Sequence, residues 1–219
     1  MPSIYVACLA SYNHGRLHGV SIDLDNVTDA DDIRDQIAAM LRESPHPNVE
    51  VDCPDCEVIR RGYGVAEGHS FTGRDIRVPA IRCATCGGKG KVPSAEEWAI
   101  HDYDDLPSTF GEHPDLDELA AYVEAVDEHG EAFAAYWDHE SRVDVADAVE
   151  GFEDAYAGEY RNTEEWAEAF LEDTGAFQGA SELVCRYFDF ETYARDARLG
   201  GDMYFLDNGK GGVYAFHNH

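Results

Sequence analysis

Two cysteine pairs carry the clearest chemistry in this 219-residue sequence. Cys53-Pro54-Asp55-Cys56 and Cys83-Ala84-Thr85-Cys86 are CxxC steps with 26 residues between them. A CxxC turn aims two thiolates at one point, and two such turns complete the tetrahedral sulfur set that Zn²⁺ prefers. The spacing predicts one structural Zn²⁺ held by Cys53, Cys56, Cys83 and Cys86. Four thiolates leave no open position for a reacting water, so the metal would hold structure and not do catalysis. A redox dithiol pair is the other reading of the four thiols, and His69 is a possible replacement ligand. Cys8 and Cys185 fall in strand-like patterns and read as small core hydrophobes.

The segment around these cysteines differs in charge from its flanks. The chain has 16 Lys+Arg against 45 Asp+Glu, a formal net charge of −29. Residues 1–52 hold 3 basic and 9 acidic side chains, residues 53–92 hold 7 and 4, and residues 93–219 hold 6 and 32. The middle segment is therefore net +3 between regions of −6 and −26, and it reads as an insert spanning 48–92. A segment of that size with few large apolar side chains needs a staple, which the metal supplies. Its second knuckle continues as Gly87-Gly88-Lys89-Gly90, resembling the glycine-rich zinc knuckles of DnaJ-type chaperones.

The elements around the insert read as α+β. Ile4 to Leu9 is a strand, Tyr12 to Gly15 a turn, and Leu17 to Leu24 a second strand, together a hairpin. Thr28 caps a helix, with Asp31 completing a capping box and Ile33, Ile37, Met40 and Leu41 on its inner face. Glu97 to Asp102 is a third strand that completes the small sheet. Pro107 and Pro114 bracket a linker. Asp115 to Tyr156 is helical in three pieces broken near Gly130 and Asp138. Thr163 caps a helix through about Asp173 whose buried face is Trp166, Phe170 and Leu171. Val184 to Phe188 reads as a strand, a short helix surrounds Tyr193, and Met203–Leu206 with Val213–Phe216 form a closing hairpin around Asp207-Asn208-Gly209. The division expected is a 1–107 α+β domain interrupted by the insert 48–92, a helical domain 108–157, and an α+β domain 158–219.

Acidic residues recur at helical steps. Glu140, Asp144, Asp147, Glu150 and Asp154 step by four, three, three and four along one helix read at 140–156, with Val143, Val149, Phe152 and Tyr156 opposite. Further sets are Asp117, Glu118, Glu124, Asp127, Glu128 and Glu131, then Glu164, Glu165, Glu168 and Glu172. Carboxylates at such steps sit about 5–6 Å apart and disfavour the helix by a few tenths of a kcal/mol per pair. A solvated helix face explains any one stripe; three of them ask for more. Duplex DNA carries one charge per about 1.7 Å of axis, so −26 corresponds to about 44 Å, or about 13 base pairs.

Several stretches resemble the ArdA antirestriction proteins. They are Ile4 to Asn13 (IYVACLASYN), Gly15, Leu17-His18-Gly19, Ile22-Asp23, Ile37 to Leu41 (IAAML), Glu96 to Asp104 (EEWAIHDYD) and Tyr156 to Tyr160 (YAGEY). The resemblance covers about 1–47 and 93–219. It implies an elongated, three-domain, homodimeric mimic of duplex DNA. Such a protein occupies the DNA groove of type I restriction-modification enzymes and protects incoming mobile genetic elements. The insert 48–92 departs from the family's pattern and sits in a loop, a tolerated place for insertion.

Composition narrows the alternatives. The acidic body lacks the Lys and Arg with which nucleic-acid binders neutralise phosphates, so it is not expected to bind nucleic acid directly. No apolar run reaches a membrane span, and the N-terminus has no signal-peptide pattern, so a cytoplasmic protein is expected. No Ser-His-Asp set, P-loop or HExxH string is present, and His217-Asn218-His219 is not a nuclease motif, so no enzyme is expected. Two other readings remain: a zinc-ribbon module that binds nucleic acid or protein beside an acidic body, and an acidic surface adapted to salt.

Overall fold

The computed structural model describes residues 1–27, 29–56, 83–140 and 144–218. Their contacts group into two units, Met1–Leu116 and Asp117–His219. The residues expected to supply the helix cap at Thr28, the alternative ligand at His69 and the apolar face at Val143 lie outside the described set.

In the first unit the apolar strand β1 (Ser3–Cys8) takes the centre of an antiparallel sheet, between β2 (Gly19–Asp23) and a later strand at Trp98–Asp104. Ile4 pairs with Ile22, and Val6 with both Val20 and Ile100. Val6 and Cys8 are fully buried, as a central strand covered on both faces requires. The expected hairpin and third strand are thus present. The link between β1 and β2 is more than a turn. Leu9–Asn13 forms a helical turn (α1), and Gly15 closes it at φ +72°, a conformation that suits glycine.

Helix α2 (Ala30–Arg42) buries Ala30, Ile33, Ile37, Met40 and Leu41. Its cap is Asp29, whose side chain accepts from the amides of Asp31 at 2.9 Å and Asp32 at 3.1 Å. A carboxylate there also suits the positive end of the helix dipole, and Arg42 suits the opposite end. Beyond α2, strands β3 (Val49–Asp52) and β4 (Lys91–Ser94) pair antiparallel as a separate two-stranded ribbon, Val51 opposite Val92. The Ala95 amide donates to the Leu41 carbonyl at 2.9 Å, so the ribbon is tied to the end of α2. The strand at Trp98–Asp104 is then β5.

In the second unit three helices come first: α3 (Leu116–His129), α4 (Glu131–Glu140) and α5 (Val145–Ala155). The first break falls at Gly130, at φ +73°. The second ends at Asp144, whose carboxylate caps α5 by accepting from the Ala146 amide at 2.9 Å. The single acidic helix read at 140–156 is therefore two elements. Glu140 ends α4, Asp144 is a cap, and only Asp147, Glu150 and Asp154 share α5.

The chain continues as β6 (Tyr156–Tyr160), α6 (Thr163–Asp173), α7 (Glu182–Arg186), α8 (Phe190–Gly200), β7 (Met203–Asp207) and β8 (Val213–His217), with sheet order β6-β8-β7. The closing hairpin is as expected, with Phe205 opposite Ala215. Asn162, not Thr163, caps α6; its side chain accepts from the Glu165 amide at 2.8 Å. Trp166, Ala167 and Leu171 are the buried face of α6, while Phe170 is half-buried. The strand read at Val184–Phe188 is instead helix α7, capped by Ser181. Cys185 accordingly sits half-buried on a helix and is no core strand residue, whereas Cys8 is.

Candidate metal centre and acidic surface

Ribbon β3–β4 delivers its two ends side by side, Asp52 opposite Lys91, with those side chains ion-paired at 2.8 Å. β3 runs directly into the first CxxC step at Cys53, and the second leads through Gly87-Gly88-Lys89-Gly90 into β4. The first knuckle turns through the Cys56 amide donating to the Cys53 carbonyl at 3.1 Å. The second turns through the Gly87 amide donating to the Cys83 carbonyl at 2.8 Å. Gly87, Gly88 and Gly90 all adopt positive φ, which is what the short glycine run permits. The Cys53 amide reaches back to the Gly90 carbonyl at 3.0 Å, closing one knuckle on the other, and Thr85 donates to the Asp55 carboxylate across them.

This backbone brings all four sulfurs within 4.8 Å of one another. Cys53 and Cys83 Sγ are 3.6 Å apart, and Cys56 and Cys86 Sγ 3.4 Å. A tetrahedral site with metal–sulfur bonds of about 2.3 Å needs sulfurs about 3.8 Å apart, whereas a disulfide needs about 2.05 Å. Spacing and number both fit one metal ion.

Cys53, Cys83 and Cys86 are buried, with Val92 and Val51 packed against them. The Gly90 amide donates to Cys86 Sγ at 3.3 Å and draws that thiol down to about 6, while the hydrogen bond to Cys86 pushes Cys56 up to about 12. Burial pushes Cys53 up. Four such sulfurs ionise together only around a cation. The backbone frame and the Asp55–Thr85 link were not read from the sequence; the alternation of Val49, Val51 and Val92 was the available signal.

The acidic residues of the second unit lie mostly at the surface. Among the fifteen singled out from the sequence, Glu118 and Glu165 are half-buried and the rest are exposed. Glu131 and Glu165 carry local counter-charges. Glu131 meets Lys210 Nζ at 2.6 Å. Glu165 accepts from Arg161 Nε at 2.9 Å and from the Arg161 amide at 2.7 Å, and these bonds hold it below the usual carboxylate range. Asp144 spends one oxygen on its helix cap. The remainder rise from α3, α4, α5 and α6, whose inner faces supply Leu119, Phe133, Phe152 and Trp166 to the core.

The fold and this surface define a polyanionic α+β protein with a four-thiol centre set on a ribbon. A profile of the antirestriction protein (ArdA) family matches residues 4–210, and the chain belongs to that family. It is therefore an antirestriction protein. No curated protein matches the chain. Among the described residues, no helix is long and apolar enough to cross a membrane.

Proposed function

We propose that this antirestriction protein works as a mimic of duplex DNA, filling the DNA groove of a type I restriction-modification enzyme. The observation that carries the reading is the net −26 of residues 93–219, with exposed carboxylates recurring along α3, α4, α5 and α6. A basic groove shaped for phosphates attracts such a surface over long range, which raises the association rate above all. The acidic residues act as a field and not as a site. A homodimer in the cytoplasm, with the finer domain divisions at 107/108 and 157/158, belongs to the same proposal and rests on the family resemblance. The four-cysteine centre holds Zn²⁺, for which four thiolates and no oxygen ligand are the preferred set. Zn²⁺ supplies cross-linking there and no reaction; Cys53, Cys56, Cys83 and Cys86 would hold it.

The test is the plating efficiency of unmodified phage on a host with a type I restriction system, with and without this protein. A rise of several orders of magnitude is expected. No rise, with the protein present and folded, overturns the type I assignment.

A further inference from the structure

Four thiolates gathered in one centre are also four reducing groups, and solvent reaches them unequally. Cys56 is half-buried, whereas Cys53, Cys83 and Cys86 expose only 2%, 4% and 7% of their surfaces. A small oxidant arriving from water therefore meets the Cys56 sulfur first. Cys86 Sγ stands 3.4 Å from it, across on the second knuckle. The contact of Cys53 with Cys83 at 3.6 Å crosses between the knuckles in the same way.

The frame holds the knuckles in that relation without help from the sulfurs. Thr85 donates to the Asp55 carboxylate from one knuckle to the other, and the Cys53 amide donates to the Gly90 carbonyl at 3.0 Å. Lys91 Nζ meets Asp52 at 2.8 Å where the ribbon ends. Closing either crossed contact to a disulfide of about 2.05 Å asks the sulfurs to approach by about 1.5 Å, within reach of side-chain rotation.

We propose that the centre is a redox-switched staple: zinc-bound when reduced and, after oxidation by a hydroperoxide, closed by crossed Cys56–Cys86 and Cys53–Cys83 disulfides. The inference rests on the zinc proposed above and adds what the cysteines do when an oxidant reaches them. The Cys56 thiolate attacks one peroxide oxygen; the O–O bond breaks, hydroxide leaves and the sulfur becomes a sulfenic acid. The Cys86 thiolate then attacks that sulfur, the S–S bond forms, the S–O bond breaks and a second hydroxide leaves. Water supplies two protons per peroxide, so each cysteine pair gives up two electrons and each peroxide ends as two waters. Cys53 and Cys83 are then two ligands where four are needed. They give up the ion and close by the same steps with a second peroxide. Both disulfides join the knuckle that follows β3 to the knuckle that precedes β4, so the ribbon stays stapled. Disulfides within the CxxC steps would leave its two ends unjoined.

The experiment treats the full chain, loaded with zinc, with hydrogen peroxide in a Cys185→Ser background, which removes the other half-buried thiol. Zinc release is followed with a chromogenic chelator, and disulfides are mapped by fragmentation mass spectrometry of digests. All zinc should be lost at about two peroxides per chain, with the Cys56–Cys86 link preceding Cys53–Cys83. Dithiothreitol with added zinc should restore the starting state. Cys53→Ser/Cys83→Ser should still form the Cys56–Cys86 link, while Cys56→Ser/Cys86→Ser should react with peroxide about tenfold more slowly. Links within the CxxC steps, sulfinic acids without links, or zinc retained in excess peroxide each overturn the proposal. A reduced chain that takes up no zinc overturns the metal reading instead, and the disulfide map still decides the pairing.

Discussion

Inhibition should follow summed charge, and α5 with the end of α4 offers a clean place to test it. Glu140, Asp147, Glu150 and Asp154 are exposed, and none has an assigned capping role. For a carboxylate about 8 Å from a cation in a wet groove, Coulomb's law in water gives about 0.5 kcal/mol, cut to about 0.2 by a Debye length of about 8 Å. One neutralisation, Asp147→Asn, should thus weaken inhibition by less than about 2.5-fold. Changing all four to their amides removes about 0.8–2 kcal/mol, or about 4- to 30-fold.

Stability controls the reading. Amides at 147, 150 and 154 relieve like-charge pairs at steps of three and four, worth a few tenths of a kcal/mol each. Losing Asp147 from the first turn of α5 costs a similar amount at the helix dipole. The fold should stay within about 1 kcal/mol of wild type. The assay is titration of ATP-dependent cleavage of unmodified DNA by a type I enzyme, repeated across salt. One amide variant that abolishes inhibition while still folded would refute the distributed-charge argument, and so would a fourfold variant that inhibits like wild type.

Other outcomes follow from the same geometry. Metal analysis should return about one zinc per chain, and Cys83→Ser should abolish it while the β2-β1-β5 sheet persists, since that core draws on no cysteine of the centre; a Cys53–Cys83 disulfide in fresh protein would contradict this. Because thiols lose protons to ligate, and Cys56 stands near 12 without metal, zinc affinity should rise with pH and fall as acid re-protonates the sulfurs, with protons released on uptake as the calorimetric check. Asn162→Ala should lower stability by about 1 kcal/mol through loss of the α6 cap, and Trp166→Ala by about 3–5 kcal/mol through its cavity, both read by thermal melting. Glu131 and Glu165, already paired with Lys210 and Arg161, should affect inhibition less than Glu124 or Glu168.

The legible parts of the sequence are those where one local signal has no rival. The CxxC spacing stood alone, and its four sulfurs converge. The closing hairpin announced itself by alternation around Asp207-Asn208-Gly209, and Asn208 Oδ1 indeed accepts from the amides of Lys210 and Gly212. Elsewhere two signals competed. Asp144, three residues before Asp147, carries both a cap signature and a place in an acidic stripe, and the cap prevailed because its carboxylate satisfies the Ala146 amide at the start of α5. Val184 to Phe188 has strand composition, yet among the described residues no strand pairs with it, while Ser181 offers a cap, so local hydrogen bonding decided for a helix. Strand β6 was hidden because Gly158 reads as a breaker; at φ +124° it sits instead in a β-bulge against β8.

The same competition explains how this unit tolerates its charge. Phe133, Phe152 and Phe216 meet at ring separations of 5.6 and 6.0 Å, and Trp166 packs edge-on to Phe205 at 5.1 Å. Each fully buried aromatic contributes about 1.5–3 kcal/mol from area alone, several times the cost of one like-charge pair on a helix. Leu119, Phe133, Phe152 and Trp166 face inward from the very helices whose outer faces carry the carboxylates. Folding is thereby assigned to one face and charge to the other, and an exposed carboxylate with no capping role, unlike Asp144 or Asp189, can change with little effect on the fold. That division is why the stability and inhibition of the α5 variants should part company.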